Sequence, residues 1–320
     1  MSHPLRVAVA GAGAFGRKHL DALARIDGVE VAAVVSRTAA QAREVADAYG
    51  VATAATDLAE VLDLPDVDAV ILCTPTQLHA SQSIAALRAG KHVQVEIPVA
   101  DSWADAQAVA AAATDTGLTC MAGHTRRFNP SHQWVHQRVV AGELHVLQMD
   151  VQTYFFRRSN TNALGQARSW VDNLLWHHAA HTVDLFAYQS GAPVTRAHVL
   201  AGPPHPELGI PMDMSVQLAT AAGQVCTLSL SFNNDGPIGT SFRYICDNGT
   251  FVARYDDLVT GRDEPIDVSG VAVATDGIEL QDREFVRALR SGDEPNASIT
   301  SVLDCYRVLG ELQGQLDALA

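Results

Sequence analysis

Residues 5–20 read LRVAVAGAGAFGRKHL, and this stretch decides the fold of the first third of the chain. A short apolar strand pattern, Leu5 to Ala10, runs into the G-x-G-x-x-G spacing of Gly11, Gly13 and Gly16, and a helical pattern follows at once. Each glycine meets a different demand: Gly11 a tight turn, Gly13 backbone clearance for a pyrophosphate, Gly16 close packing of helix on strand. The motif alone is a weak signal. Its place between a strand and a helix, with a second strand at βαβ spacing, turns it into a dinucleotide site that Gly11, Gly13, Ala14, Phe15 and Gly16 are expected to form.

Working outward, strand-like runs at Leu5 to Ala10, Val29 to Val35, Ala69 to Cys73, His92 to Glu96 and Leu118 to Met121 alternate with helical stretches. The helices are expected at Phe15 to Ile26, Ala39 to Tyr49, Leu78 to Ala89 and Trp103 to Thr116, each with apolar residues three and four apart. This is the pattern of a doubly wound α/β domain, a Rossmann domain, over residues 1–123. Beyond Gly123 the order changes. A helix near Pro130 to Val140, a long strand near Val146 to Arg157 and a helix around Leu174 to Tyr188 are followed by strand-like alternation. Those later strands fall at Met214 to Thr220, Val225 to Phe232, Thr240 to Cys246 and Thr250 to Tyr255. Residues 124–320 are therefore expected to form an α+β domain on an open, mostly antiparallel sheet. Helices at Leu280 to Arg290 and Ile299 to Leu316 close the chain, and the last is allowed to pack back on the first domain.

Composition bounds the partners. The 320 residues are 48% hydrophobic and only 6% aromatic, with a formal charge of -14, which excludes nucleic acid as the natural ligand. No apolar run approaches the roughly 20 residues that span a bilayer. Five widely spaced cysteines without a CxxC pair fit a reducing cytoplasm.

Where an NAD site places an acid on the ribose hydroxyls, the second strand ends in Ser36 and Arg37. A guanidinium attracts a 2′-phosphate that a carboxylate would repel, so NADP is the expected cofactor and NAD the second option. Thr74 and Pro75, just past the strand Ala69 to Cys73, lie where the cofactor cleft is lined. The stretch LLWHHAAHTVDLF sets His177, His181 and Asp184 four and three residues apart, on one helical face, as candidate base, partner and orienting acid. Two imidazoles lack the further ligands that zinc needs, and no metal is expected. Only Lys18 and Lys91 are lysines. Six of the 20 arginines fall within residues 126–168: Arg126, Arg127, Arg138, Arg157, Arg158 and Arg168. In an acidic chain this is where a carboxylated substrate is expected to dock.

The stretches GAGAFGRKHL, CTPTQLH, VEIP, GHTRRFNP and HHAAHTVDL resemble the Gfo/Idh/MocA oxidoreductase family across essentially the whole chain. The resemblance implies hydride transfer with a nicotinamide, His79 and Glu96 beside the cofactor, and a homodimer or homotetramer through the open sheet face. Two positions depart from the family pattern. Ile97 stands where the family carries a lysine bonded to the reacting hydroxyl, and His177 where it carries an aspartate; His181 and Asp184 match. Within the family, QVEIPVADSWADA, DVQTYFFRR and SLSFNNDGP resemble the branch that oxidises a dicarboxylated cyclic hemiacetal to a lactone with NADP. That resemblance gives Arg126, Arg127, Arg157, Arg158, Arg168 and His178 a dicarboxylate to bind, and makes His181 or His177 the base. The alternatives are a sugar or inositol dehydrogenase of the same family, and an NADP-binding regulatory protein without catalysis.

Overall fold

The computed structural model describes residues 3–161, 165, 171–272 and 276–318. The chain groups into two compact units, one of Met1–His124 with Ile278–Leu303, the other of Thr125–Gly277 with Asp304–Ala320. Residues 278–303, assigned from sequence to the second domain, thus belong with the first.

The first unit begins β1(Leu5–Ala10), α1(Ala14–Leu23), β2(Val29–Val35), α2(Ala39–Ala48), β3(Thr53–Ala55) and α3(Leu58–Leu62). It continues β4(Ala69–Leu72), α4(Thr76–Arg88), β5(His92–Val95), α5(Trp103–Thr116) and β6(Cys120–Ala122). Its sheet runs β3-β2-β1-β4-β5-β6 with every pair parallel. All four residues of β4 are buried, as expected for a parallel strand covered on both faces. The strand order reverses between β1 and β4, so the crevice beyond their carboxyl ends is the topological switch point. Helix starts follow from capping: the Thr38 side chain accepts from the Gln41 N–H at α2, and Ser102 from the Asp105 N–H at α5. Gly117, at φ 66°, ends α5 in the left-handed conformation.

The second unit opens with a 3₁₀ turn at Thr125–Arg127, then α6(Pro130–Val140) and β7(Val146–Tyr154). A π-helix, Leu174–Ala179, leads into α7(Ala180–Ser190). Then come β8(Val194–Ala201), β9(Asp213–Thr220), β10(Val225–Ser231), β11(Gly239–Cys246), β12(Gly249–Arg254) and β13(Asp257–Thr260). The sheet order is β13-β12-β11-β7-β10-β9-β8, antiparallel except for the parallel pair β10 and β7. Along β9 and β10 outward residues alternate with buried Met214, Val216, Cys226, Leu228 and Leu230, leaving one face open.

α8(Gly277–Ser291) and α9(Ile299–Asp317) complete the chain. α8 joins the first unit because it buries polar as well as apolar side chains there: Gln281 and Asp282 are both 0% exposed and bond to Glu96, His19 and Gln94. Four elements escaped the sequence reading: β3, α3, β8 and β13. β3 and α3 are too short to show a period, and the edge strands β8 and β13 carry a weak alternation that pairing completes.

Candidate functional site

In the first unit, the glycine-rich turn behaves as its spacing demands. Gly11 sits at φ +105°, and a Cβ there would lie 2.3 Å from the Cys73 carbonyl oxygen, so β4 passes too close for any side chain. A Cβ on Gly16 would lie 1.9 Å from the Gly11 carbonyl oxygen, which seats α1 against the turn. On Gly13 a Cβ would meet nothing within 4 Å, although the backbone φ of -81° would accept one. The protein itself therefore does not need a glycine at position 13. The open space is what a pyrophosphate requires. α1 has no side-chain cap and no acid in its first turn, so its first N–H groups and positive dipole end are left for an anion. These residues fit a dinucleotide. Phe15 is half-exposed beside the turn, with the Lys18 ammonium 5.0 Å from its ring centre.

At the end of β2, Ser36 is buried and its hydroxyl donates to Gln41 Oε1 at 2.7 Å. Ser36 is thus committed to shaping the loop. Arg37 is exposed and carries the positive charge at this position. Thr74 donates to Gln82 Oε1 at 2.6 Å. His79, expected at the cofactor, is buried instead. Its ring nitrogens lie 2.7 Å from the carbonyl oxygens of Pro98 and Thr74, so it ties the two loops past β4 and β5 together. Glu96, the residue after β5, has its Oε1 3.2 Å from His19 Nε2 and 3.0 Å from Gln281 Nε2.

In the second unit the histidine segment is not the regular helix its spacing predicts. Leu174–Ala179 is π-helical, begun by the Asn173 side chain, which accepts from the Trp176 N–H at 2.8 Å. Insertion of a π-turn changes the phase, so the four-residue spacing of His177 and His181 no longer sets them one above the other. His177 Nδ1 accepts from the Asn173 N–H at 3.1 Å. That bond leaves the proton of the neutral ring on Nε2, and His177 so held is a donor, not a base. Asp184, expected to orient a histidine, is instead 2% exposed and accepts from Arg127 Nε at 2.8 Å and Nη2 at 2.6 Å. Arg127, expected at the substrate, is buried by that same bidentate pair, with its guanidinium 4.6 Å from the Tyr188 ring centre. Burial of either charge alone would be costly, so the pair is a structural fastening of the 3₁₀ turn to α7.

The carboxylate beside the histidines is Asp172, which the sequence reading missed. It is buried, accepts from Arg157 Nη2 at 2.6 Å, and lies 3.3 Å from His178 Nε2 and 3.6 Å from His177 Nδ1. Burial opposes its charge, but the contact with His178 and the charges of His178 and Arg157 outweigh it and hold the carboxyl well below the usual carboxylate range. The side chains of Phe155 and Phe232 flank His178, each with ring centres 5.2 Å away. Arg157 lies over Phe232 at 4.5 Å, and its buried Nη1 has no hydrogen-bond partner among the described residues. Arg158 is exposed and donates to the Arg157 and Phe232 carbonyls and to Asn233 Oδ1. Arg126 bonds Asn129 Oδ1 at 3.3 Å and lies 4.9 Å from the Tyr255 ring centre. Arg168 lies outside the described residues. His181, on α7, is half-buried.

Residues 5–124 match the model described as "Oxidoreductase family, NAD-binding Rossmann fold", and residues 130–272 that described as "Bacterial oxidoreductases, C-terminal". The chain is 68% identical to the 4-carboxy-2-hydroxymuconate-6-semialdehyde dehydrogenase of Sphingobium sp. (strain SYK-6), covering 98% of this chain and 99% of the relative. It is 34% identical to the scyllo-inositol 2-dehydrogenase (NAD(+)) of Bacillus subtilis (strain 168), over 45% of this chain and 42% of that one. The crystal structure of the aldose-aldose oxidoreductase from Caulobacter crescentus, complexed with glycerol, superimposes with a TM-score of 0.86 at 20% identity, covering 99% of this chain and 98% of that one. That last likeness speaks for the fold alone. With a dinucleotide turn built as its glycines require and a near-full-length relative at this identity, the chain belongs to the Gfo/Idh/MocA family of oxidoreductases.

Proposed function

We propose that this chain oxidises the cyclic hemiacetal of 4-carboxy-2-hydroxymuconate-6-semialdehyde to 2-pyrone-4,6-dicarboxylate with NADP, as a cytoplasmic step of aromatic catabolism. The observation that carries the substrate is Arg157. One edge of its guanidinium is fixed by Asp172, while its buried Nη1, beside Phe232, has no hydrogen-bond partner among the described residues. A buried N–H left unmatched costs about 1 to 3 kcal/mol, which an incoming carboxylate would recover. Phe155 and Phe232 supply the flat apolar walls that suit a conjugated ring. The close relative bears this substrate in its name.

The absence of lysine at position 97 fits the same reading. A hemiacetal hydroxyl is more acidic than a sugar alcohol, so an imidazole suffices to remove its proton. His177 is engaged as an acceptor, which leaves His181 as the proposed base. The nicotinamide, when bound, supplies the hydride acceptor. Arg37, with no acid beside it in Val35 to Thr38, favours the 2′-phosphate of NADP. The proposed dimer or tetramer forms through the open sheet face, where Leu200 and Val225 are 72% and 40% exposed.

The test is the initial rate of nicotinamide reduction with the semialdehyde, NADP against NAD, and inositol as control substrate. Reduction with the semialdehyde and NADP, absent with inositol, is the expected result; turnover of inositol alone would return the chain to the sugar dehydrogenases. His181→Asn is expected to lower turnover by about 10² to 10⁴. A loss under tenfold removes His181 as the base.

A further inference from the structure

A buried charged cluster in the first unit stands apart from the substrate chemistry. His19, on α1, is 0% exposed, and its two ring nitrogens both face carboxylates. Nδ1 lies 2.8 and 2.9 Å from the two oxygens of Asp282, and Nε2 lies 3.2 Å from Glu96 Oε1. A neutral imidazole has one N–H and can donate to only one of them, whereas an imidazolium donates to both. Burial opposes that charge, but the Asp282 carboxylate raises His19 well above its ordinary value. Asp282 is itself 0% exposed and held by Gln94 Nε2 at 2.6 Å.

The charges in this cluster do not cancel. Burial pushes Glu96 up, yet the hydrogen bonds from His19 and Gln281 and the charge of His19 bring it below its ordinary range. Burial pushes Asp282 up and its bonds to His19 and Gln94 only partly offset that, so His19 and Asp282 count as one pair that shares a proton and carries no net charge, which leaves the Glu96 carboxylate unmatched. Two further titratable groups act on this cluster, Cys73 on His19 and His79 on Glu96. Burial keeps the Cys73 thiol, past β4, protonated, and for His79 on α4 burial outweighs the two carbonyl contacts and brings the ring below its ordinary value. Among the described residues the hydrogen bonds to the Glu96 carboxylate, from His19 and Gln281, both reach Oε1, and the side chain keeps 12% of its surface exposed just past the carboxyl end of β5. The next residue, Ile97, offers no cation.

We infer that Glu96 gives the cofactor edge of this sheet an uncompensated negative charge, held by His19 and Asp282, that makes the unit bind the oxidised nicotinamide more tightly than the reduced one. The oxidised ring carries a positive charge that the reduced ring lacks, so only the oxidised form gains from the carboxylate. The inference rests on the dinucleotide reading and not on the identity of the substrate. His19 and Asp282 are positioning residues in it.

The experiment is a fluorescence titration of the full chain with NADP⁺ and with NADPH, repeated with NAD⁺ and NADH, for the natural protein, Glu96→Gln and Ile97→Lys. The ratio of the reduced to the oxidised dissociation constant is expected to fall about fivefold or more in both variants. Glu96→Gln removes the charge and keeps an acceptor; Ile97→Lys cancels it without touching the buried cluster, and decides the matter alone if the first variant fails to fold. Ratios within twofold of the natural protein, or an equal weakening of both redox forms, would overturn the inference. Failure of either phosphorylated form to bind while the NAD pair binds would refute the NADP reading, and the NAD pair would still measure the ratio.

Discussion

Alanine placed at Gly13 and at Gly16, three residues apart in one turn, should produce opposite defects. At Gly16 the new methyl would sit 1.9 Å from the Gly11 carbonyl oxygen, a backbone atom that cannot swing aside. α1 must move off β1, and overpacking of that kind costs about 1 to 3 kcal/mol or more. At Gly13 the methyl meets no protein atom within 4 Å. Reduced freedom of the unfolded chain stabilises Gly13→Ala by about 0.4 to 1 kcal/mol, and the poorer N-cap of α1 takes back a similar amount. Its net stability should stay within about 1 kcal/mol of the natural protein. The methyl occupies the approach of a pyrophosphate, however, and cofactor binding should weaken at least about tenfold, or 1.4 kcal/mol. Urea unfolding followed by circular dichroism reads the stability, and a fluorescence titration with NADP reads the binding. A Gly13→Ala protein that binds the cofactor within threefold of normal would refute the reading of this turn as the pyrophosphate cradle, however sound its fold.

Replacing Arg37 with Ala should raise the dissociation constant for NADP about tenfold while leaving that for NAD within twofold, and equal changes in both would remove Arg37 from 2′-phosphate recognition. Arg127→Ala should destabilise the second unit by about 3 to 5 kcal/mol, because it strands the buried Asp184 carboxylate; Arg127→Met combined with Asp184→Leu should recover most of that loss in the same denaturation assay. His136 is brought down to about 4, first by burial and then by the charge of Arg127. Because the folded state resists its protonation, the stability it contributes is complete above pH 6.5 and is lost as pH falls toward 4. For this half-buried ring the loss should reach about 1 to 2 kcal/mol, and His136→Gln should flatten the fall in stability between pH 7 and pH 4.5; an unchanged slope counts against it.

Much of the first unit could be read from local pattern. The glycines at 11, 13 and 16 each answer a backbone demand that a single turn imposes, and buried parallel strands advertise themselves as unbroken apolar runs. Ser36 and Arg37 were legible as a position, though not that the Ser36 hydroxyl is taken by Gln41. The histidines were legible as chemistry, since a cluster of imidazoles among apolar residues is rare on either face of a helix. Their partners were not. Asp172 stands five residues before His177, a spacing with no meaning in a regular helix, and it matters only because a π-turn resets the phase there. Arg127 finds Asp184 at a distance of 57 residues and His19 finds Asp282 at 263, so no period or spacing could pair them. The sequence by itself determined the class of fold, the dinucleotide turn and the stock of side chains available for catalysis. Which acid serves which base was decided only by the tertiary structure, because in a buried site a charge must be matched by whatever the folded chain brings within hydrogen-bond reach.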